Sequence, residues 1–215
     1  MVDGNRPGAA WRKQCIVCKP GPCSFFTQEF INSARPRDVY RRVAERANTD
    51  VLVTSDKLHK NVERLAKPKT VEGIILYKPP WGAVDSFLRH KTRTFREGLK
   101  VWDETYMGVL SWAPQFLKSF MVVSYLRLAN DPQGVFQSIC KHLELPVLEK
   151  IPDDLTSIPF HSMCGNEGMV KRSDVFVDTR WKNNLSKEQV NKILMDRFLM
   201  KTYNRLESLD GSGWM

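Results

Sequence analysis

The chain alternates short apolar runs with longer stretches in which apolar residues recur three and four positions apart. The second spacing predicts helices, and compact apolar runs bounded by breakers predict buried strands. "DVYRRVAERA" (38–47) has helical spacing, and so does "LHKNVERLA" (58–66), which "KPKT" interrupts. "DVLVTS" (50–55), "VEGIILY" (71–77) and "SFMVVSY" (119–125) read as strands. The middle one is the clearest, because a mostly apolar run suits a strand covered on both faces. "WGAVDSFLRHKTRTF" returns to helical spacing. "DPQGVFQSICKHLEL" (131–145) is expected to be a helix capped by Asp131, with Pro132 in its first turn. "DVFVDTRW" (174–181) reads as a short extended piece. "SKEQVNKILMDRFLMKTYNRL" (186–206) reads as one or two helices opened by Ser186.

Strand and helix in alternation predict an α/β domain built on a parallel sheet flanked by helices. The sequence contains no internal repeat, and 215 residues suit one domain with a sizeable core. The expected organisation is a flexible N-terminus (1–14), one domain (15–208) and a flexible C-terminus (209–215). Ligands of open parallel sheets sit at the carboxyl ends of the strands. That directs attention to the loops after "VLVTS", "GIILY" and "VVSY".

Charge narrows the class of partner. Lys and Arg number 33 against 24 Asp and Glu, a formal net charge of +9. The excess favours anionic ligands, or is simply a solvated basic surface; it is scattered rather than gathered in a tail. No run approaches the roughly 18 apolar residues of a membrane helix, and no signal-like start is visible. A soluble protein is expected, cytoplasmic in preference to secretory. Asn184-Leu185-Ser186 matches a glycosylation sequon, which matters only in a secretory protein.

Five cysteines, an odd and low count, do not make a disulfide framework. Cys15 and Cys18, in Cys-x2-Cys spacing and followed by Cys23, could begin a zinc site. Such a site needs a fourth ligand, and no paired motif follows at a suitable spacing; His59 and Cys164 are distant in sequence. The favoured reading is buried or loosely packed thiols, with no metal.

"YKPPWGAVDS" (77–86) places two prolines and a glycine between a predicted strand and a predicted helix. The prolines stiffen the turn, and Gly82 allows a close approach to the backbone. Lys78 leaves the strand end as a cation, and Ser86 follows eight positions on. A cation, a hydroxyl and a helix N-terminus together suit a phosphate.

"GIILYKPPWGAVDSFLRH" resembles the second nucleotide-binding element of sulfotransferases. There an Arg at the strand end and a Ser eight positions later hold the 3′-phosphate of 3′-phosphoadenosine 5′-phosphosulfate. Lys78 stands at the Arg position and Ser86 at the Ser position. Lys lacks the bidentate fork of Arg, so weaker donor binding is expected. "VLVTSDKLHKNVERL" resembles the family's Asp-Ser-Ser-Lys segment through Ser55 and Lys57. "VVSYLRLANDPQGVFQSICKHLELP" resembles its Tyr-Glu-Asp-Leu segment through Tyr125, Leu128, Asp131, Pro132, Leu145 and Pro146, with Leu126 and Arg127 replacing the two acids. "HSMCGNEGMVKRSDVFVDTRWKNNLS" resembles the C-terminal element through His161, Gly165, Asn166, Arg172, Asp178, Trp181 and Leu185.

The resemblance implies a P-loop-type sulfotransferase fold and sulfuryl transfer from that donor to a hydroxyl or amine on a small molecule or carbohydrate. The net basic charge hints at an acidic acceptor. It also implies roles. Lys57 would stabilise the transferring group and His59 would act as base; the competing reading of His59 is a solvent-facing residue on a basic helix. Lys171 and Arg172 would reach the 3′-phosphate, Trp81 would stack on the base, and His161 would be structural or part of a lid. The family's first element is a strand and Gly-rich loop that cradles the 5′-phosphosulfate. "KPGPCSFF" (19–26) matches that loop poorly, since Pro20 and Pro22 remove donors. "CIVCKPGPC" better matches a cysteine-bearing segment that follows the loop in one branch, so the chain is expected to begin downstream of it and the fold to be incomplete at its N-terminal end. Two alternatives stand beside the enzyme. One is an inactive or truncated remnant of the family. The other is a basic nucleic-acid-binding protein with a zinc knuckle at Cys15 to Cys23, which the dispersed charge disfavours.

Overall fold

A computed structural model describes residues 15, 18, 21–33, 35, 38–54, 59–154, 161, 175–211 and 213–214. The chain divides into two compact units. Unit 1 comprises Met1–Leu65 with Pro152–Asp174, and unit 2 comprises Ala66–Ile151 with Val175–Met215.

Among its described residues, unit 1 holds three short helices: α1 (Gln28–Ser33), α2 (Val39–Ala47) and α3 (His59–Leu65). The helix predicted at 38–47 is α2, ended by Asn48 in the left-handed region at φ 49°. The strand expected over 50–55 does not form at its described residues. Residues 51–54 have no regular structure, and Val53 is 84 % exposed. Among the described residues no strand pairs with 51–54, and an apolar run without such a partner gains no ladder hydrogen bonds, so β-propensity alone does not hold it extended. The apolar residues buried among the described part of unit 1 are Cys15, Cys23, Phe30, Ile31 and Val39.

Unit 2 is built on strands β1 (Gly73–Tyr77) and β2 (Phe120–Ser124), which pair in parallel with Gly73 opposite Phe120 and Tyr77 opposite Ser124. Both were legible as apolar runs. Between them run α4 (Pro80–Arg89) and α5 (Phe95–Phe116). Helix α5 is the longest of the described elements. Thr94 opens it with a capping box: its hydroxyl accepts from the Glu97 N–H while Glu97 returns to the Thr94 N–H. Helices α6 (Tyr125–Asn130) and α7 (Pro132–His142) follow β2 directly. Asp131 caps α7 through the Gly134 N–H at 2.8 Å, with Pro132 in the first turn where it has no helical bond to lose.

The C-terminal stretch forms α8 (Trp181–Asn184), α9 (Lys187–Met195) and α10 (Arg197–Leu209). Ser186 caps α9, as expected, in a capping box with Gln189. Asp196 ends α9 and caps α10, which is why the helical pattern breaks in two. Residues 175–178, within the expected extended piece, have no regular structure. Gly213–Trp214, part of the expected loose terminus, form a short strand β3 antiparallel to β2, with Phe120 opposite Trp214.

β2 is buried along its whole length because it is the middle strand. Met121 and Val123 pack with Val135 of α7, and Ile74, Leu128 and Ile139 close over them. Alternation turns Val122 to the opposite face, and α10 also packs on β2. α5 packs on β1, α4 and α10. The sheet is thus a small mixed one among helices, α/β in class. Among the described residues no helix is long and apolar enough to cross a membrane.

Candidate functional site

The predicted turn lies where the strand ends and α4 begins. Pro79 is the N-cap at φ −51° and ψ 147°, and Pro80 is the first helical residue. Both prolines therefore occupy positions whose dihedrals they favour. Helix α5 clamps the lysine backbone: Trp102 Nε1 donates to the Lys78 carbonyl at 2.8 Å, and the Lys78 N–H donates to the Tyr106 hydroxyl at 3.4 Å. Gly82 has a packing reason as well. A Cβ there would meet Lys78 Cε at 3.0 Å, so the missing side chain is the space along which the lysine stem lies.

The Lys78 ammonium, so placed, reaches Asp178 Oδ2 at 2.9 Å and lies 5.2 Å from the centre of the Tyr125 ring. Tyr125 is the first residue after β2, so the cation sits beside the carboxyl ends of both parallel strands. Asp178 is nearly buried and draws two more cations. Arg180 Nε and Nη2 donate to its two oxygens at 2.7 and 2.8 Å, and Arg89 Nη2 stands 3.6 Å away. The Arg180 hydrogen bonds, with Lys78 next, hold the Asp178 carboxyl far below the usual carboxylate range. Arg89 also donates to Asp85 at 2.9 Å, and Asn184 donates to the other Asp85 oxygen at 2.8 Å. Three cations and two carboxylates form one connected network.

Trp81 packs against Trp181, with ring centres 5.7 Å apart, and against Tyr203 at 5.2 Å. Its partners are protein rings rather than an open face. Ser86 lies on α4, half-buried. Two segments that resemble separate motifs thereby meet: Lys78 finds Asp178, and Trp81 finds Trp181. His59 is the first residue of α3, in unit 1. Lys57, Lys171 and Arg172 lie outside the described residues, as do Ser55, Cys164, Gly165 and Asn166.

Sequence reasoning missed a second constellation. Cys15, Cys18, Cys23 and His161 converge in unit 1, and their ligand atoms all lie within 4.8 Å of one another. His161 Nδ1 is 4.0 Å from the Cys15 sulfur, 3.4 Å from that of Cys18 and 3.3 Å from that of Cys23. Cys15 and Cys23 are buried free thiols, as expected, but the fourth ligand candidate that the sequence did not offer is present: His161, 138 residues beyond Cys23. None of the three cysteines is in a disulfide. The Phe26 N–H donates to the Cys23 sulfur at 3.1 Å. Loss of hydration, then the neighbouring Cys23 and Cys15 thiols, push the Cys18 thiol up to about 11. The only sequence signal was the Cys-x2-Cys spacing with a third cysteine close behind.

Comparison with family models, with curated proteins and with solved structures returns no match.

Proposed function

We propose that this chain is a sulfotransferase-like protein. It binds 3′-phosphoadenosine 5′-phosphosulfate through the turn at residues 77–86 and passes the sulfuryl group to a hydroxyl or amine acceptor. One observation carries the reading: the segments holding Lys78 and Asp178, each resembling a motif of that family, meet at the carboxyl ends of the parallel strands. Lys78, in the turn before α4, supplies the charge for the 3′-phosphate, and Ser86 a hydroxyl on α4 itself. The reading rests on unit 2 alone. Of the two expected catalytic residues, Lys57 lies outside the described residues and His59 belongs to the other unit.

A second reading, a nucleotide-binding remnant that turns nothing over, is favoured by Asp178. Its carboxylate already engages Lys78, so a phosphate must displace or share it. A ligand that binds only the native state stabilises it by RT ln(1 + L/Kd), where L is the free ligand concentration, so the melting temperature keeps rising with ligand concentration. Thermal titration with 3′,5′-adenosine diphosphate is expected to stabilise the wild type, with Lys78→Ala abolishing the shift and Lys78→Arg enlarging it. Absence of any shift at millimolar ligand overturns both readings. A shift without label transfer from the radiolabelled donor to a panel of hydroxyl and amine acceptors leaves the remnant standing and removes the enzyme.

A further inference from the structure

We propose that Cys15, Cys18, Cys23 and His161 bind one divalent metal ion of the zinc class in a closed four-coordinate shell, and that this ion is the folding staple of unit 1. The inference is independent of the nucleotide reading, since all four residues belong to unit 1.

The geometry selects a single ion. Zinc bonds of about 2.3 Å to sulfur and about 2.0 Å to nitrogen, set tetrahedrally, need ligand atoms about 3.5 to 3.8 Å apart. The imidazole nitrogen stands 4.0, 3.4 and 3.3 Å from the three sulfurs, and no pair in the cluster exceeds 4.8 Å. Soft thiolates with one imidazole select zinc over magnesium, calcium or manganese, which take oxygen ligands.

The surroundings fit a metal thiolate as well as the ligands do. Phe25 stacks on the His161 ring, with centres 5.2 Å apart and planes 12° from parallel. Phe26 meets the same ring edge-on at 6.4 Å. Two aromatic contacts fix the imidazole with Nδ1 toward the sulfurs. The Phe26 N–H hydrogen bond to Cys23 offsets part of the negative charge that three thiolates and one dication leave behind. Arg46 adds a nearby positive charge: it donates to the Ser24 carbonyl at 2.9 Å and lies over the Phe25 ring at 5.8 Å.

The chemistry balances without an oxidant. Each thiol gives its proton to solvent as its sulfur bonds to the ion, so loading releases up to three protons. Four protein ligands leave no position for water, which makes the ion structural rather than hydrolytic. Unit 1 needs such a device. Its described helices have 6, 9 and 7 residues, too short to be stable in isolation. Two of the five apolar residues buried in its described part are the ligands Cys15 and Cys23. A small core of this kind is ordinarily supplemented by a metal or a disulfide.

The test uses the full chain, expressed without a histidine tag in zinc-supplemented medium. Elemental analysis is expected to give one zinc per chain. Exchange into cobalt(II) should give thiolate-to-metal charge transfer and the intense visible bands of a tetrahedral centre. His161→Cys should keep one metal per chain and move the cobalt bands toward an all-sulfur centre, while His161→Ala should weaken cobalt binding at least about tenfold. The surface variant His90→Ala should match wild type in stoichiometry and spectrum. Where His161→Ala fails to fold, the wild-type metal count and the His161→Cys spectrum decide. The proposal is overturned by a wild-type chain that binds no metal after expression and after cobalt titration. It is equally overturned by mass spectrometry that finds a disulfide among the three cysteines of the freshly purified protein, or by a cobalt spectrum that His161→Cys leaves unchanged.

Discussion

Lys78 Nζ lies 2.9 Å from Asp178 Oδ2, joining residues 100 positions apart in the chain. The lysine is held by its backbone to Trp102 and Tyr106, and the aspartate by the two-pronged grip of Arg180. Neither charge is fully in water: the side chains retain 25 % and 5 % of their exposure. In that setting the pair is more than a surface contact, and any external anion that reaches Lys78 competes with an internal one.

Asp178→Asn removes the competitor and keeps the side chain's shape. It leaves Lys78 and Arg180 with a charge to satisfy, so 3′,5′-adenosine diphosphate should bind about tenfold tighter, equivalent to about 1.4 kcal/mol. The gain should shrink as salt rises, because part of the attraction is screened. Isothermal titration at two ionic strengths reads both effects. Unchanged or weaker binding would mean that the carboxylate orders the site and does not block it.

The same carboxylate sets an acid sensitivity. Its folded pKa is depressed, first by the Arg180 hydrogen bonds and then by Lys78. The stability it contributes is therefore complete above the unfolded value of about 4 and is lost as pH falls from there toward the lower folded value. Urea midpoints for wild type should drop through that window. Asp178→Asn should start about 1 to 3 kcal/mol less stable at pH 7 and show a shallower fall. Parallel acid limbs for the two proteins would place the acid sensitivity on other carboxylates.

Parts of this arrangement were legible in the sequence for physical reasons, and parts were not. β1 and β2 are apolar runs and both form, but the two-sided cover that such a run suggests holds only for β2; β1 lies at the sheet edge and leaves Leu76 exposed. Asp131 and Ser186 are local caps, decided by residues three positions away, and both cap as expected. The segment at 51–54 had the composition of a strand, but a strand is made by its neighbour, and composition does not supply one. Helix α5 covers a stretch to which the pattern assigns no separate element beyond its first residues; its capping box at Thr94 and Glu97 was the available signal. Lys78 was identified by its place at a strand end. Its partner Asp178 was noticed only as part of a motif, because a contact across 100 residues has no spacing rule. The same holds more strongly for His161, whose ligand role depends on chain folding that no local pattern encodes.

Asp85 tests how much the buried branch of the network contributes. It is 1 % exposed and is satisfied by Arg89 on one oxygen and Asn184 on the other. Arg89→Ala strands a buried carboxylate and should cost about 3 to 5 kcal/mol. Asn184→Ala removes a neutral donor only and should cost about 1 to 3 kcal/mol. The order of the two losses, read from denaturant midpoints, is the check. A larger loss for Asn184→Ala would mean that the contact between α4 and α8 matters more than the charge.

Tyr77 closes β1 with its ring fully buried against Tyr106 and Tyr203, and its hydroxyl donates to Glu207 of α10. Burial first, and the Glu207 carboxylate second, push its pKa well above the ordinary phenol value; Tyr203 is raised for the same two reasons. A folded pKa above the unfolded one means that this stability is whole below about pH 10 and declines as pH climbs beyond it. Tyr77→Phe keeps the ring packing and removes the proton. Because Glu207 is exposed and regains water, the cost at pH 8 should be about 1 to 2 kcal/mol. At pH 11 the gap between the two proteins should narrow, since only wild type loses stability by having to keep this phenol protonated. Urea midpoints at the two pH values measure the difference directly. Phenolate absorbance supplies the independent arm. Tyr77 and Tyr203, together with Tyr106, which burial also raises, should ionise late, and the late absorbance step should shrink in Tyr77→Phe. A gap that widens at pH 11 would show that the hydroxyl acts through packing and not through its proton.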